Sequence, residues 1–262
     1  AHAYFAIGEY KLALEAFDYA VITNEDFELA YLDYAELCYC LHMWDKALSL
    51  YIKLTQLIEP DEELLCRIGE CLEHLGEYDK GRVYLYRALG MNPKYAETYY
   101  HIGQCYAQEG AWGSSLHFYK QAVKLDEERE DYLSALAKNH QMLGYPQRAI
   151  PFYKRAIEIG PELGVNWAEL TQILIQENKI EDALNLVEDA FEHTYDAGLF
   201  YCKAACEFKK RDFATAMDTL KEALLEDHGK HQMLFAICPE LIEDRGVQAI
   251  IRYYDPNFFE QE

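Results

Sequence analysis

The chain has 262 residues, 51% of them hydrophobic, with 22 tyrosines, so a disordered polymer is excluded. Its 46 acidic residues against 24 basic ones leave a net charge of −22. That balance excludes a nucleic-acid binder, which must neutralise phosphates with Lys and Arg, and disfavours docking on anionic membranes.

Taken in chain order, the sequence repeats itself. A turn-forming position returns every 34 residues, at Gly8, His42, Gly76, Gly110, Gly144 and Asn178. Twelve places after each comes Ala20, Leu54, Ala88, Ala122, Ala156 and Ala190, then Ala223 one residue early. A fixed period of this size marks stacked supersecondary units rather than one closed globule. Each unit predicts two helices. In helix A an apolar slot (Tyr31, Leu65, Tyr99, Leu133, Trp167, Tyr201) is followed by a small one (Ala35, Gly69, Gly103, Ala137, Thr171, Ala205). Helix B begins near Tyr10, Trp44, Tyr78, Trp112, Pro146, Ile180 and Phe213, and carries a large residue at Phe17, Tyr51, Leu85, Tyr119, Tyr153, Val187 and Leu220. Spacings of three and four put these on one helical face. Neither helix can bury its stripe alone, so successive units must lean on each other.

The expected units are a partial one at 1–27, then 28–61, 62–95, 96–129, 130–163, 164–197 and 198–230. Ala1 falls at the small slot of a helix A, so a longer polypeptide is expected to supply the missing half-unit. Pro146 suits a first helical turn, whereas Pro151 is expected to cost a hydrogen bond or bend its helix. Repeat seven is one residue short, and the deletion is expected in the turn between Phe208 and Phe213. Arg211 adopts a left-handed conformation less readily than Gly or Asn, so that turn is expected to differ in type. Residues 231–254 read as capping helices, and 255–262 as a tail in which Phe258 and Phe259 could serve a partner as a docking pair.

The pattern resembles the tetratricopeptide repeat, most fully over Ala96 to Arg129, where Tyr99, Ile102, Gly103, Tyr106, Gly110, Ser115, Tyr119 and Ala122 stand in the family's slots. The resemblance implies an all-α fold, a right-handed superhelical α-solenoid of stacked antiparallel helix pairs, with helices A lining a concave groove. It implies a protein-interaction scaffold that binds a peptide or helix there. The groove slots would be Leu32, Glu36, Tyr39, Cys66, Glu70, Glu73, Tyr100, Gln104, Ser134, Lys138, Gln141, Ala168 and Gln172, with Ile175, Cys202, Cys206 and Lys209 further on. One subclass of the family clamps a terminal carboxylate with cations; here the corresponding places hold Leu32, Asp33, Glu36, Glu63 and Arg67, and the acids would repel it. A basic segment with an apolar anchor is the expected partner, with Tyr39 and Tyr100 as aromatic footing. Two alternatives are a self-assembling module, joined through its open N-terminal end, and a regulatory part of an enzyme whose catalytic segment lies elsewhere.

No catalytic motif is present: there is no GxSxG, P-loop, GxGxxG after a strand, or HExxH. His101, His117 and His140 read as isolated helix residues. Cys71 and Cys105 share one slot, which marks packing residues, while Cys38-x-Cys40-x-His42 and Cys202/Cys206 lack a second half-site. No metal and no cofactor is expected. Reduced thiols and the absence of a visible signal point to the cytoplasm, with N-terminal targeting ahead of Ala1 left open. No apolar run reaches the ~18 residues of a membrane span.

Overall fold

The computed structural model describes residues 1–256, and these residues are helical with no strand. Phe258 and Phe259 lie outside the described residues. The chain divides into two compact units, Ala1–Glu127 and a second from Glu128.

The first unit contains α1 (His2–Ala6), α2 (Tyr10–Thr23), α3 (Glu28–Cys40), α4 (Trp44–Leu57), α5 (Glu62–His74), α6 (Tyr78–Met91), α7 (Ala96–Gln108) and α8 (Trp112–Leu125). The second contains α9 (Glu130–Met142), α10 (Pro146–Ile159), α11 (Gly164–Gln176), α12 (Ile180–Phe191), α13 (Ala197–Lys209) and α14 (Phe213–Asp227), then the shorter α15 (Gln232–Ile237) and α16 (Arg245–Tyr253). Within each unit, helices pack on their neighbours in sequence. Among the described residues no helix is long and apolar enough to cross a membrane.

One close fit recurs inside the hairpins. The small residue of the first helix meets the large residue 16 places later at Gly69 with Leu85 and Gly103 with Tyr119, and the equally spaced Ala35 with Tyr51 and Ala137 with Tyr153 share apolar clusters. All four large side chains are buried. A Cβ on Gly69 would stand 2.4 Å from Leu85 Cγ, and one on Gly103 would stand 2.7 Å from the Tyr119 ring. The absence of that atom is what lets the backbone and the ring meet.

Each hairpin turn closes in the same way. The residue after the cap is left-handed, at Gly8, His42, Gly76, Gly110, Gly144, Asn178 and Arg211. Its N–H and that of the next residue donate back to the helix, as in His42 to Tyr39 and Met43 to Cys38, the Schellman arrangement. Arg211, at φ 64°, donates to Phe208, and Asp212 donates to Glu207. The expected difference in turn type at Arg211 is therefore corrected: two backbone hydrogen bonds hold the same geometry against the modest cost of a left-handed side chain.

The position of the deletion is also corrected. First helices start at 28, 62, 96, 130 and 164, then 197, and second helices at 146 and 180, then 213. The residue is lost between 180 and 197, where α12 is shorter than the second helices before it, and not in the hairpin turn. Ala204 rather than Ala205 then stands 16 residues before Leu220, and both are buried. Pro151 lies inside the continuous helix α10, on its exposed side. At the C-terminal side, Leu234, Ile237, Val247 and Ile251 join the apolar cluster of α13 and α14.

Candidate protein-interaction face

In the first unit, α3, α5 and α7 are successive first helices, and their polar slots meet. Arg67 on α5 is the hub. Its Nη1 donates to Glu70 Oε2 at 3.1 Å and to the Tyr39 hydroxyl at 3.1 Å. The same nitrogen lies 3.6 Å from Glu97 Oε1, and its Nε lies 3.9 Å from Glu36 Oε1. The guanidinium also sits over the Tyr39 ring, 4.6 Å from its centre, a cation–π contact. Tyr39 donates its hydroxyl to Glu70. Burial, followed by that hydrogen bond, pushes the Tyr39 phenol far above its ordinary range, so it remains a donor.

His101 on α7 extends the cluster. Its Nδ1 is 2.8 Å from Glu73 Oε2, and its Nε2 is 3.5 Å from Glu70 Oε2. Burial acts to lower its pKa, but the Glu73 hydrogen bond and the charges of Glu70, Glu73 and Glu97 outweigh it, and the net direction is upward. His101 is not an isolated histidine, as the sequence suggested. Both ring nitrogens face carboxylates of the network, Glu73 and Glu70, which counts against a general-base role. Glu70, Glu97 and His101 offer ligand atoms within 4.8 Å of one another. Arg67 contacts both carboxylates and supplies the positive charge there.

The polar slots of the first helices have a second duty. The buried tyrosine that fills the space over the small residue carries its hydroxyl through to them. Tyr51 donates to Glu36 at 2.5 Å, Tyr119 donates to Gln104 at 2.8 Å, and Tyr153 donates to Gln141. Gln104 in turn donates to the Tyr100 hydroxyl at 2.7 Å.

The expected groove residues therefore fall into distinct groups. Glu36, Tyr39 and Glu70 meet around Arg67, and Glu73 joins through His101. Leu32 is exposed and lines a cleft. Tyr100 and Gln104 are half-buried neighbours. In the second unit Lys138 is exposed and bonds Glu169, Gln141 receives Tyr153, and Ser134 and Gln172 are half-buried. Four expectations of an outward-facing slot are corrected. Cys66 and Ala168 are buried by packing, and Glu70 and Glu73 are buried in the ion network. Cys202 and Cys206 are likewise buried, with Cys202 Sγ against the Ala168 carbonyl oxygen. Burial raises the Cys38 thiol to about 11 and those of Cys71 and Cys105 to about 12, so all three stay protonated.

Sequence reasoning missed Arg67, His101 and Glu97 as partners, although a signal existed. Asp33, Arg67 and His101 share one slot, Glu36, Glu70 and Gln104 the slot three places on, and Glu63 and Glu97 a third. Opposite charges at neighbouring slots of stacked units are what a cross-repeat network requires.

An open cleft of about 280 Å³ adjoins the network. Its floor is apolar, with Leu32, Leu54, Ile58 and Leu64, and its rim carries Asp33, Glu36, Asp61 and Glu63. Asp61 also caps α5 by accepting from the Leu64 N–H at 2.9 Å.

Stacked helix pairs with this hairpin fit define a helical-repeat protein. Residues 62–95 and 96–129 match the family model of the tetratricopeptide repeat. Among curated proteins it is similar to "BBSome complex member BBS4" of Bos taurus, 26% identical over 115 residues, which are 44% of this chain and 22% of that protein. The same protein of Mus musculus is 24% identical over 129 residues, 49% of this chain and 25% of that one. The matched part thus spans about a quarter of these relatives. Among solved structures, a tetratricopeptide repeat protein from Parabacteroides merdae aligns with TM-score 0.67 at 15% identity, covering 90% of this chain and 94% of that one. MamA aligns with TM-score 0.53 at 17% identity, covering 60% and 92%. At these identities the structures show the shared fold.

The raised pKa of His101 sets a direction for stability with pH. The folded value lies above the ordinary 6.5. The contribution of the protonated ring is therefore complete below that ordinary value and is lost as pH rises through the folded one. Urea unfolding of the wild type and of His101→Gln should show a stability difference that is largest below the ordinary histidine value of 6.5 and shrinks as pH rises above it. A difference that stays constant or grows would contradict the assignment.

Proposed function

We propose that this chain is a protein-interaction scaffold and that the α3–α5 cleft of its first unit receives a basic segment of a partner protein, extended or helical, through one apolar anchor. One observation carries the reading: an open cleft with an apolar floor has four rim carboxylates, and its single cation, Arg67, is already engaged by Glu70 and Glu97. An aliphatic stem would lie on Leu32 and Ile58 while its charged end meets Asp33, Glu36 or Glu63. The net charge of −22 would speed encounter with a basic partner. Tyr39 is not the footing, since Arg67 covers its ring.

Because Glu70 and Glu73 are internal, the informative substitutions are Asp33→Asn, Glu36→Gln and Glu63→Gln. A library of capped Lys/Arg peptides carrying one Leu or Ile would be screened at low and high salt. Binding should weaken about tenfold or more in the triple variant and on raising salt from about 50 to 500 mM. Binding that is salt-insensitive and unchanged in the variant would remove the electrostatic reading.

A second reading, membership of a larger assembly, is favoured by the N-terminal helices. α1 and α2 expose Tyr4, Phe5, Ile7, Tyr19 and Ile22, an apolar concentration suited to burial against another protein surface. The curated relatives are named as members of a complex. Self-association is the simplest form of this reading. Sedimentation should show a concentration-dependent dimer that Ile7→Glu with Ile22→Glu abolishes. A monomer at every concentration would remove it.

A further inference from the structure

The last full hairpin carries a carboxylate where each earlier one carries something else. The turn hydrogen bonds set the register. The carbonyl that accepts from the residue after the left-handed position belongs to Tyr4, Cys38, Leu72, Tyr106, His140, Leu174 and Glu207 in turn. Glu207 is only 7% exposed, and its Oε2 has no hydrogen-bond partner. Burial pushes its pKa up. The nearby Thr219 hydroxyl and the charge of Lys203 act to lower it, while Asp212 and Glu188 raise it further. A buried acceptor left without a donor is costly to the fold.

Glu207 lines an open cleft of about 520 Å³ between α12, α13 and α14, together with Glu188, Asp189, Asp212, Lys203 and Lys210. Both lysines are engaged. Lys203 bonds Glu188 at 3.2 Å, and Lys210 lies 3.0 Å from Glu181. Asp212 caps α14, accepting from the Thr215 hydroxyl at 2.9 Å and its N–H at 3.3 Å. The cleft thus holds more carboxylates than cations, and the buried oxygen in its wall has unused acceptor capacity. Among the described residues, no three acidic, His or Cys ligand atoms converge here within 4.8 Å. Dispersed acceptors suit a planar cation with several donors on a flexible stem better than a compact ion.

We propose that this cleft is a subsite for an arginine side chain of a partner protein, whose guanidinium donates to the Glu207 carboxylate and to a rim carboxylate in one insertion. Arginine fits better than lysine because its guanidinium is less strongly hydrated and its five donors can serve separated oxygens at once. The subsite lies in the second unit and does not rest on the reading of the first.

The test is amide NMR on the whole chain, ¹⁵N-labelled, titrated with capped Gly-Arg-Gly and with its neutral isostere, capped Gly-citrulline-Gly. The arginine peptide should give saturable shifts in α12–α14 around Glu207 and Thr215, and the citrulline peptide should not. Glu207→Gln should weaken binding about tenfold. Glu207→Met, which places an apolar residue in the slot, should stay folded and lose the response. A purely structural role for Glu207 would alter stability in these variants while leaving the titration unchanged. That result would overturn the proposal, as would equal shifts with citrulline or no saturable shift with arginine.

Discussion

The close approach of a small residue on one helix to a large ring or branched side chain on the next is the contact on which the rest depends. At Gly103 it leaves no room for a single methyl group beside Tyr119. Such a fit sets the rotation of each helix about its axis, and so decides which positions are buried and which remain polar. It also carries chemistry outward. With the tyrosine ring lying across the small residue, its hydroxyl emerges at the polar slot, where Glu36, Gln104 and Gln141 accept it. Packing and polar satisfaction in these hairpins are one arrangement, because a buried tyrosine needs a partner for its hydroxyl.

The cross-repeat network changes how the acidity of the chain should be read. Glu70 and Glu73, on a helix of strongly acidic sequence, do not project a field toward a partner. They neutralise Arg67 and His101 inside the protein. Removing one member of such a buried set would strand the others, which is far more damaging than losing a surface pair. In the proposed reading, the attraction offered to a basic partner comes from the cleft beside the network, where Asp33, Glu36, Asp61 and Glu63 lie. The interior charges link successive repeats.

Much of this was legible in the 34-residue period. The second helices start at Tyr10, Trp44, Tyr78, Trp112, Pro146, Ile180 and Phe213, as the repeat requires. The missed features share a cause. Periodicity along one helix separates two faces, whereas first helices such as α7 and α13 touch their own partner and also helices of the preceding repeat. Cys66 and Ala168 look outward from their own hairpins and are buried by neighbours. His101 looked isolated because its partners, Glu70 and Glu73, are one repeat away. The missing residue could not be placed from slot alignment, since Phe208 also satisfies the aromatic slot one position late. Only the backbone hydrogen bonds of the turn identify Glu207 as its true occupant.

A double-mutant cycle at Gly103 and Tyr119 tests the central contact most directly, with urea unfolding as the measurement. Gly103→Ala alone should destabilise the chain by about 1–3 kcal/mol through overpacking against the ring. In a Tyr119→Ala background the same change should become neutral or stabilising, because the methyl group then enters vacated space and the helix gains from alanine. Additive effects, or an alanine at 103 that costs nothing beside the intact tyrosine, would contradict the account.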